Sequence, residues 1–227
     1  MADPKTQSIV MLGATGAVGG EVVKTLLARG HLARLTLLGR RDVPGLSAPI
    51  VTQDRVDIFD PDSYAGLLGG HDTAICTLGV GQPTKTSKED FLATDRDAVL
   101  NFAKACKAAG VRHFCLLGSV GASSSSPSFF LRGKGELEDG LRALEFDGLS
   151  LFRPCMILTP TNRYGLSQAI TLAVWPALST VLIGPLQKFR GIKVAQLGAA
   201  IANRALIHKS GVDVLEWPAI RRLANLD

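Results

Sequence analysis

The sequence predicts an α/β fold: a doubly wound parallel sheet covered by helices on both faces. Two observations carry this expectation. From Ser8 onward, continuous apolar runs of strand length alternate with amphipathic stretches of helical period, the pattern of strands buried on both sides. Between the first apolar run and the first amphipathic stretch lies a glycine triplet, Gly13-Ala14-Thr15-Gly16-Ala17-Val18-Gly19. Right-handed crossovers between such units build a Rossmann-type sheet, with ligands bound along the carboxyl ends of its strands.

Taken in order, the first strand runs near Ile9–Gly13 and the first helix near Ala17–Ala28, stopping at Gly30. Strands follow near Arg34–Leu38 and Val51–Val56, then a helix over Pro61–Leu68, with proline suited to a helical first turn. A strand near Thr73–Leu78 leads to a long helix, Lys88–Ala109, which ends at Gly110. Strand His113–Leu117, helix Phe130–Leu144 and strand Leu149–Phe152 complete the alternation. Ser123 to Ser126, followed by Pro127, reads as a loop. Glu216 to Leu223 suggests a short amphipathic closing helix that packs on the domain.

The 227 residues are enough for one large core, and nothing in the composition forces a second domain. The expectation is a single unit over 1–227, with about 155–190 forming a small lid or substrate-side insertion. Within that region, Tyr164 to Gln187 carries no charged side chain, a length that can in principle span a bilayer. Gln168, Pro176, Ser179, Thr180 and Gly184 interrupt it. Two short helical pieces forming a lid or apolar contact surface are the preferred reading, so no integral membrane segment is expected. Trp175 and its neighbours suit a dimer contact, a lid or a membrane-surface patch.

Lysine and arginine total 25 against 20 acidic residues, a net charge of +5 spread along the chain. Nucleic acid binding needs a denser basic cluster. The four cysteines, Cys76, Cys106, Cys115 and Cys155, form no C-x-x-C pair and read as reduced core thiols. Met1 to Gln7 is short and polar, unlike a signal peptide, so a cytoplasmic location is expected. His31, His71, His113 and His208 have no metal-ligand spacing, and no metal site is expected.

The glycine triplet carries the chemistry. Gly13 permits a tight turn, Gly16 lets the backbone approach a pyrophosphate, and Gly19 lets the helix pack closely on the strand. Helix amides at Ala17 and Val18, with Thr15 in the turn, then face the anion. After the second strand stands Leu38-Gly39-Arg40-Arg41, with no carboxylate at the strand end; Asp42 lies beyond both arginines. Arginine at this position suits the 2′-phosphate of NADP(H), so NADP(H) is expected to be preferred over NAD(H). Asp57 is positioned either to accept from the adenine amino group or to cap the turn before Pro61. Leu78-Gly79 can pass under the adenosine half, with glycine allowing close approach.

The chain resembles the short-chain dehydrogenase/reductase superfamily in its atypical branch. More closely it resembles the Tat-interactive family of oxidoreductase-like proteins, with NmrA-like regulators as more distant relatives. The resemblance is carried by Gly13 to Gly19, Leu38-Gly39-Arg40-Arg41, Gly70-His71-Asp72 and Cys76-Thr77-Leu78-Gly79. Asp95-Arg96-Asp97, His113-Phe114, Lys134-Gly135-Glu136 and Phe152-Arg153-Pro154 extend it over nearly the whole chain. It implies NADP(H) binding and a serine, tyrosine and lysine constellation, in which tyrosine exchanges a proton with the substrate oxygen. The serine falls on Ser119 and the lysine on Lys134, which would also hold the nicotinamide ribose. The tyrosine falls on Phe130, which can neither donate nor accept a proton. Arg153-Pro154-Cys155-Met156 follows the sixth strand, where the family passes near the nicotinamide, so Pro154 and Met156 are cofactor candidates.

Two functional expectations follow. One is a reductase-like protein with weak or unconventional hydride transfer to an apolar small molecule. The other is a non-catalytic sensor of the NADPH/NADP ratio acting through a regulatory protein partner. Tyr164 stands in the loop after the sixth strand, either as an ordinary loop residue or as a replacement proton donor.

Overall fold

The computed structural model describes residues 6–81, 85–159, 182–207 and 209–226. Its strands and helices, in chain order, begin with β1 (Gln7–Leu12), α1 (Ala17–Arg29), β2 (Leu32–Gly39), β3 (Val51–Arg55) and β4 (Thr73–Cys76). They continue with α2 (Lys88–Leu92), α3 (Val99–Ala108), β5 (His113–Leu117), α4 (Phe129–Ala143), β6 (Gly148–Phe152) and β7 (Met156–Leu158). The last are β8 (Gly191–Lys193), α5 (Val194–Leu206), β9 (Gly211–Leu215) and α6 (Trp217–Ala224).

Seven strands form one sheet in the order β3-β2-β1-β4-β5-β6-β9, and every pairing in it is parallel. The order reverses beside β1, between β2 and β4. This switch point opens a crevice at the carboxyl ends of the strands. The alternation of side chains along β1 divides the core in two. Ile9 and Met11 face a layer built from Val22 and Leu26 of α1, Leu197 and Ile201 of α5 and Ile220 of α6. Val10 and Leu12 face Val99 and Phe102 of α3 and Leu137 and Leu141 of α4.

The sequence-derived order of elements holds through β6, with local differences. Over Pro61–Leu68 there are two 3-10 turns, Pro61–Ser63 and Ala65–Leu67, in place of an α-helix. Asp60 caps the first by accepting from Asp62 N. The segment is too short to gain from α-helical cooperativity, and Gly66, Gly69 and Gly70 weaken it further. The expected helix Lys88–Ala109 consists of α2, a π-helical stretch at Ala93–Ala98, and α3. The fourth strand ends at Cys76, leaving Thr77 and Leu78 to close over the glycine turn.

Strand β9 and helix α5 have no counterpart in the sequence reading. Helix α5 covers the same sheet face as α1, and the two approach closely because residue 198 is glycine. A Cβ there would stand 2.5 Å from Glu21 Cβ. The closing helix is present as α6, with Trp217 Nε1 donating to Gly191 O at 3.0 Å. Of the expected lid, residues 155–159 and 182–190 are described, and β7 pairs with β8 beyond the main sheet. Tyr164, Gln168, Trp175, Pro176, Ser179, Thr180 and His208 lie outside the described residues. No helix among the described residues is long and apolar enough to cross a membrane.

Candidate functional site

The glycine turn adopts the geometry its spacing predicts. Gly13 has φ +97°, and a Cβ on it would lie 2.7 Å from Leu78 N. Its carbonyl accepts from Gly16 N at 3.1 Å and from Thr77 Oγ1 at 3.1 Å. A Cβ on Gly19 would stand 2.1 Å from that same carbonyl oxygen, so only glycine lets α1 start this close to β1. Gly16 occupies the N-cap with no side-chain cap and no acidic residue in the first turn. The amides of Ala17, Val18 and Gly19 therefore lack intrahelical acceptors at an uncompensated positive helix end. These are the groups a diphosphate bridge requires, and the residues present fit a dinucleotide.

Two clefts flank this turn and share Leu78 in their walls. The smaller cleft, about 360 Å³ and the one the sequence reading assigns to the adenosine side, is lined by Gly13, Thr15, Arg40 and Arg41 among the expected residues. Neither arginine has an ion pair among the described residues, and both are exposed. Asp42 and Asp54 also line this cleft. Arg55 grips Asp42 and holds its carboxyl below the usual range, chiefly through their hydrogen bonds. Asp57 is exposed and serves the turn: its Oδ1 accepts from Phe59 N at 2.9 Å, while the next residue, Ile58, lines the cleft. The cap reading of Asp57 is thus observed, and Asp54 is the cleft carboxylate that sequence reasoning missed. Its position opposite Leu38 follows from the β2–β3 register and has no local signal.

The larger cleft, about 640 Å³, lies beyond the α1 N-terminus. It collects Gly16, Ala17, Val18, Gly79, Ser119 and Lys134, together with Phe130, Pro154 and Met156 from the other side. Phe130 and Lys134 share one face of α4, a turn apart, as their i, i+4 spacing requires. The ring of Phe130 packs on Phe91 with centroids 5.1 Å apart. Among the described residues, Ser119 Oγ makes only a long 3.4 Å contact with Val120 O. Cys155 lines the same cleft, and burial pushes its thiol above the ordinary range, which disfavours a reactive thiolate.

Asp95 is the second residue the sequence reading did not assign to the site. The π-helical stretch carries its carboxylate to Lys134, with Nζ to Oδ1 2.7 Å and side-chain exposures of 7% and 3%. Its Oδ2 accepts from Val80 N at 2.7 Å, and a Cβ on Gly79 would lie 2.9 Å from Oδ1. Asp95 thereby joins the loop after β4 to helix α4. Helix α4 is held further by Arg96 to Glu136 at 2.7 Å and by Arg153, whose Nε donates to Glu138 Oε1 at 2.9 Å. Gly135 lets the helix touch the Ser123–Ser124 backbone, since a Cβ there would meet Ser123 C at 2.1 Å. Among the described residues no group of His, Cys, Asp or Glu is arranged to hold a metal ion.

A family profile described as NAD(P)H-binding matches residues 13–145, from the turn glycine through α4. This chain belongs to the NAD(P)H-binding family. Family membership thus covers Arg40, Asp95, Ser119, Phe130 and Lys134 along with the glycine turn. The chain is similar to Protein HTATIP2 of Rattus norvegicus, 38% identical over 156 residues, which is 68% of this chain and 64% of the rat protein. It is similar to Protein FMP52, mitochondrial, of Candida albicans, 28% identical over 208 residues, 88% of this chain and 89% of that one. Its fold matches MoeE5 in complex with UDP-glucose and NAD (TM-score 0.68, 18% identity, 92% and 75% of the two chains). It likewise matches Bordetella bronchiseptica WbmH in complex with NAD+ (TM-score 0.69, 17% identity, 96% and 79% of the two chains). The NAD(P)H-binding assignment and the Rossmann-type α/β fold agree with what the motifs led one to expect.

Proposed function

We propose that this chain binds NADP(H) in preference to NAD(H) and is an atypical reductase-like protein whose hydride transfer to an apolar small molecule is weak. Arg40 and Arg41, unpaired at the mouth of the adenosine-side cleft, support the coenzyme preference. The reading of weak chemistry rests on one observation: the side chain one helical turn before Lys134 in the substrate-side cleft is Phe130, packed on Phe91. Positioned general acids are typically worth ~10²–10⁴-fold in rate, and a phenyl ring supplies none of this. Lys134 keeps donors beyond the one Asp95 takes, enough to hold a nicotinamide ribose. Ser119 keeps its hydroxyl at the cleft to orient a substrate carbonyl.

A bound coenzyme would supply hydride; this chain grips its phosphates, orients it with Lys134 and surrounds the acceptor with Phe130, Pro154 and Met156. A second reading has support from the same contrast of an intact cradle with a missing proton donor: a non-catalytic sensor whose protein partner distinguishes NADPH from NADP. The cytoplasm is the proposed location; fungal relatives carry "mitochondrial" in their names, and cell fractionation decides between the compartments.

The test is NADPH oxidation against aldehydes, ketones and quinones by the wild type and Phe130→Tyr. Slow wild-type turnover that rises in the variant supports the reductase reading. Turnover confined to the variant supports the sensor, and fast wild-type turnover removes the claim that the missing phenol limits the reaction.

A further inference from the structure

The register that carries Arg40 and Arg41 to the adenosine-side cleft sets a third arginine beside them. Gly39 at the end of β2 lies opposite Arg55 at the end of β3, and Val56 N donates to Gly39 O at 3.0 Å. Arg55 turns its side chain onto Asp42, with Nε to Oδ1 3.1 Å and Nη2 to Oδ2 2.7 Å. In this fork one guanidinium engages both carboxylate oxygens. Gln53, two residues earlier and so on the same side of the strand, accepts from Val43 N at 2.7 Å and donates to Leu46 O at 3.0 Å. The segment carrying Asp42 is thus fastened to β3 at two points.

A carboxylate just after the second strand normally accepts from the ribose hydroxyls of NAD(H) and repels the 2′-phosphate of NADP(H). Asp42 sits in the wall of that cleft, but its oxygens are engaged. The other charged groups lining the cleft are Arg40 and Arg41, and Asp54 on the opposite side of β3; none has an ion pair among the described residues.

We propose that Arg55 is a specificity-determining residue: by binding Asp42 it withdraws a competing carboxylate from the adenosine-side cleft and leaves Arg40 and Arg41 to an NADP(H) phosphate. This rests on the reading that those two arginines select the phosphate. Because Arg55 and Asp42 are solvent-accessible, the expected effect is about three- to fivefold, not orders of magnitude.

Calorimetric titration of the nucleotide-stripped full chain with NADPH and NADH tests it, using the ratio of their dissociation constants. Arg55→Met is expected to weaken NADPH and tighten NADH, moving the ratio about three- to fivefold. Adding Asp42→Asn to that variant is expected to return the ratio to the wild-type value. An unmoved ratio in Arg55→Met overturns the proposal. So does a moved ratio that Asp42→Asn does not restore, because Arg55 would then act on the coenzyme directly. Arg40→Ala separates the two levels. A wild-type ratio near one that Arg40→Ala leaves unchanged overturns the phosphate reading and this proposal with it. A ratio moved by Arg40→Ala but not by Arg55→Met overturns this proposal alone.

Discussion

Lys134 and Asp95 form a buried ion pair, Nζ to Oδ1 2.7 Å, that joins helix α4 to the π-helical stretch between α2 and α3. Removing one partner leaves the other charge buried and uncompensated, a loss of about 3–5 kcal/mol, whereas replacing both by apolar groups is far milder. Asp95→Leu or Lys134→Met alone is expected to lose stability on that scale, and the double variant to recover most of it. Urea unfolding of the four proteins checks this; equal losses in the single and double variants would refute it.

Gly19 and Gly20 are adjacent in α1 yet predict opposite outcomes. Alanine at Gly19 forces a Cβ to 2.1 Å from Gly13 O, so the turn must shift, with about 1–3 kcal/mol of overpacking and at least a tenfold loss of coenzyme affinity expected. Alanine at Gly20 meets nothing nearer than Ala14 O at 3.9 Å and is expected to stabilise the helix by up to about 1 kcal/mol without altering affinity. Thermal unfolding and coenzyme titration of both variants make the comparison.

His71 predicts a pH dependence of stability. Burial, the leading cause, pushes it below its ordinary 6.5. Its ring bonds Leu68 O at 2.9 Å and Thr36 Oγ1 at 2.9 Å, and Arg34 Nη2 lies 3.3 Å from Nδ1. The folded state therefore binds fewer protons than the unfolded state below about pH 6.5. Its contribution is complete above that pH and is lost as pH falls through the lower folded value. The stability difference between wild type and His71→Gln, measured by denaturant at pH 7.5 and 5.0, is expected to shrink at the lower pH. A difference that grows on acidification would contradict this.

Thiol reactivity separates the four cysteines. Cys76, Cys106 and Cys115 are buried, with Cys76 and Cys115 pushed up to about 12 by burial. Cys155 is half-buried and lines the larger cleft. An aromatic disulfide reagent at pH 8 is expected to label Cys155 alone in the native protein, and bound NADPH to slow that labelling. Reaction of more than one thiol before unfolding would disprove it.

The sequence disclosed those parts of the protein that are local in character. Strands β1, β2, β4, β5 and β6 announce themselves as apolar runs, whereas β3 is largely polar (Val51-Thr52-Gln53-Asp54-Arg55), and the glycine turn works through sterics confined to Gly13, Gly16 and Gly19. That Phe130 shares a helix face with Lys134 is likewise local, following from their i, i+4 spacing, whereas the expectation of a tyrosine there is what the family resemblance implies. Helix α5 does carry a local signal: Val194, Leu197, Ile201 and Ala205 recur at helical spacing and are buried. Strand β9 gave little, since Val212 and Val214 stay exposed on a sheet edge.

The order of amino acids alone determined that this chain folds as a parallel α/β sheet with a tight glycine turn at an uncapped helix end, because period, turn sterics and helix-end polarity act between near neighbours. Only the tertiary structure decided the partners of its charges: Asp95 on Lys134, Asp42 on Arg55, and Asp54 rather than Asp57 in the cleft wall. Those pairings depend on strand register and on a π-helical stretch that re-aims the carboxylate of Asp95 onto Lys134, far along the chain. Coulomb attraction and burial act through space, and no local pattern reports which distant group they will favour.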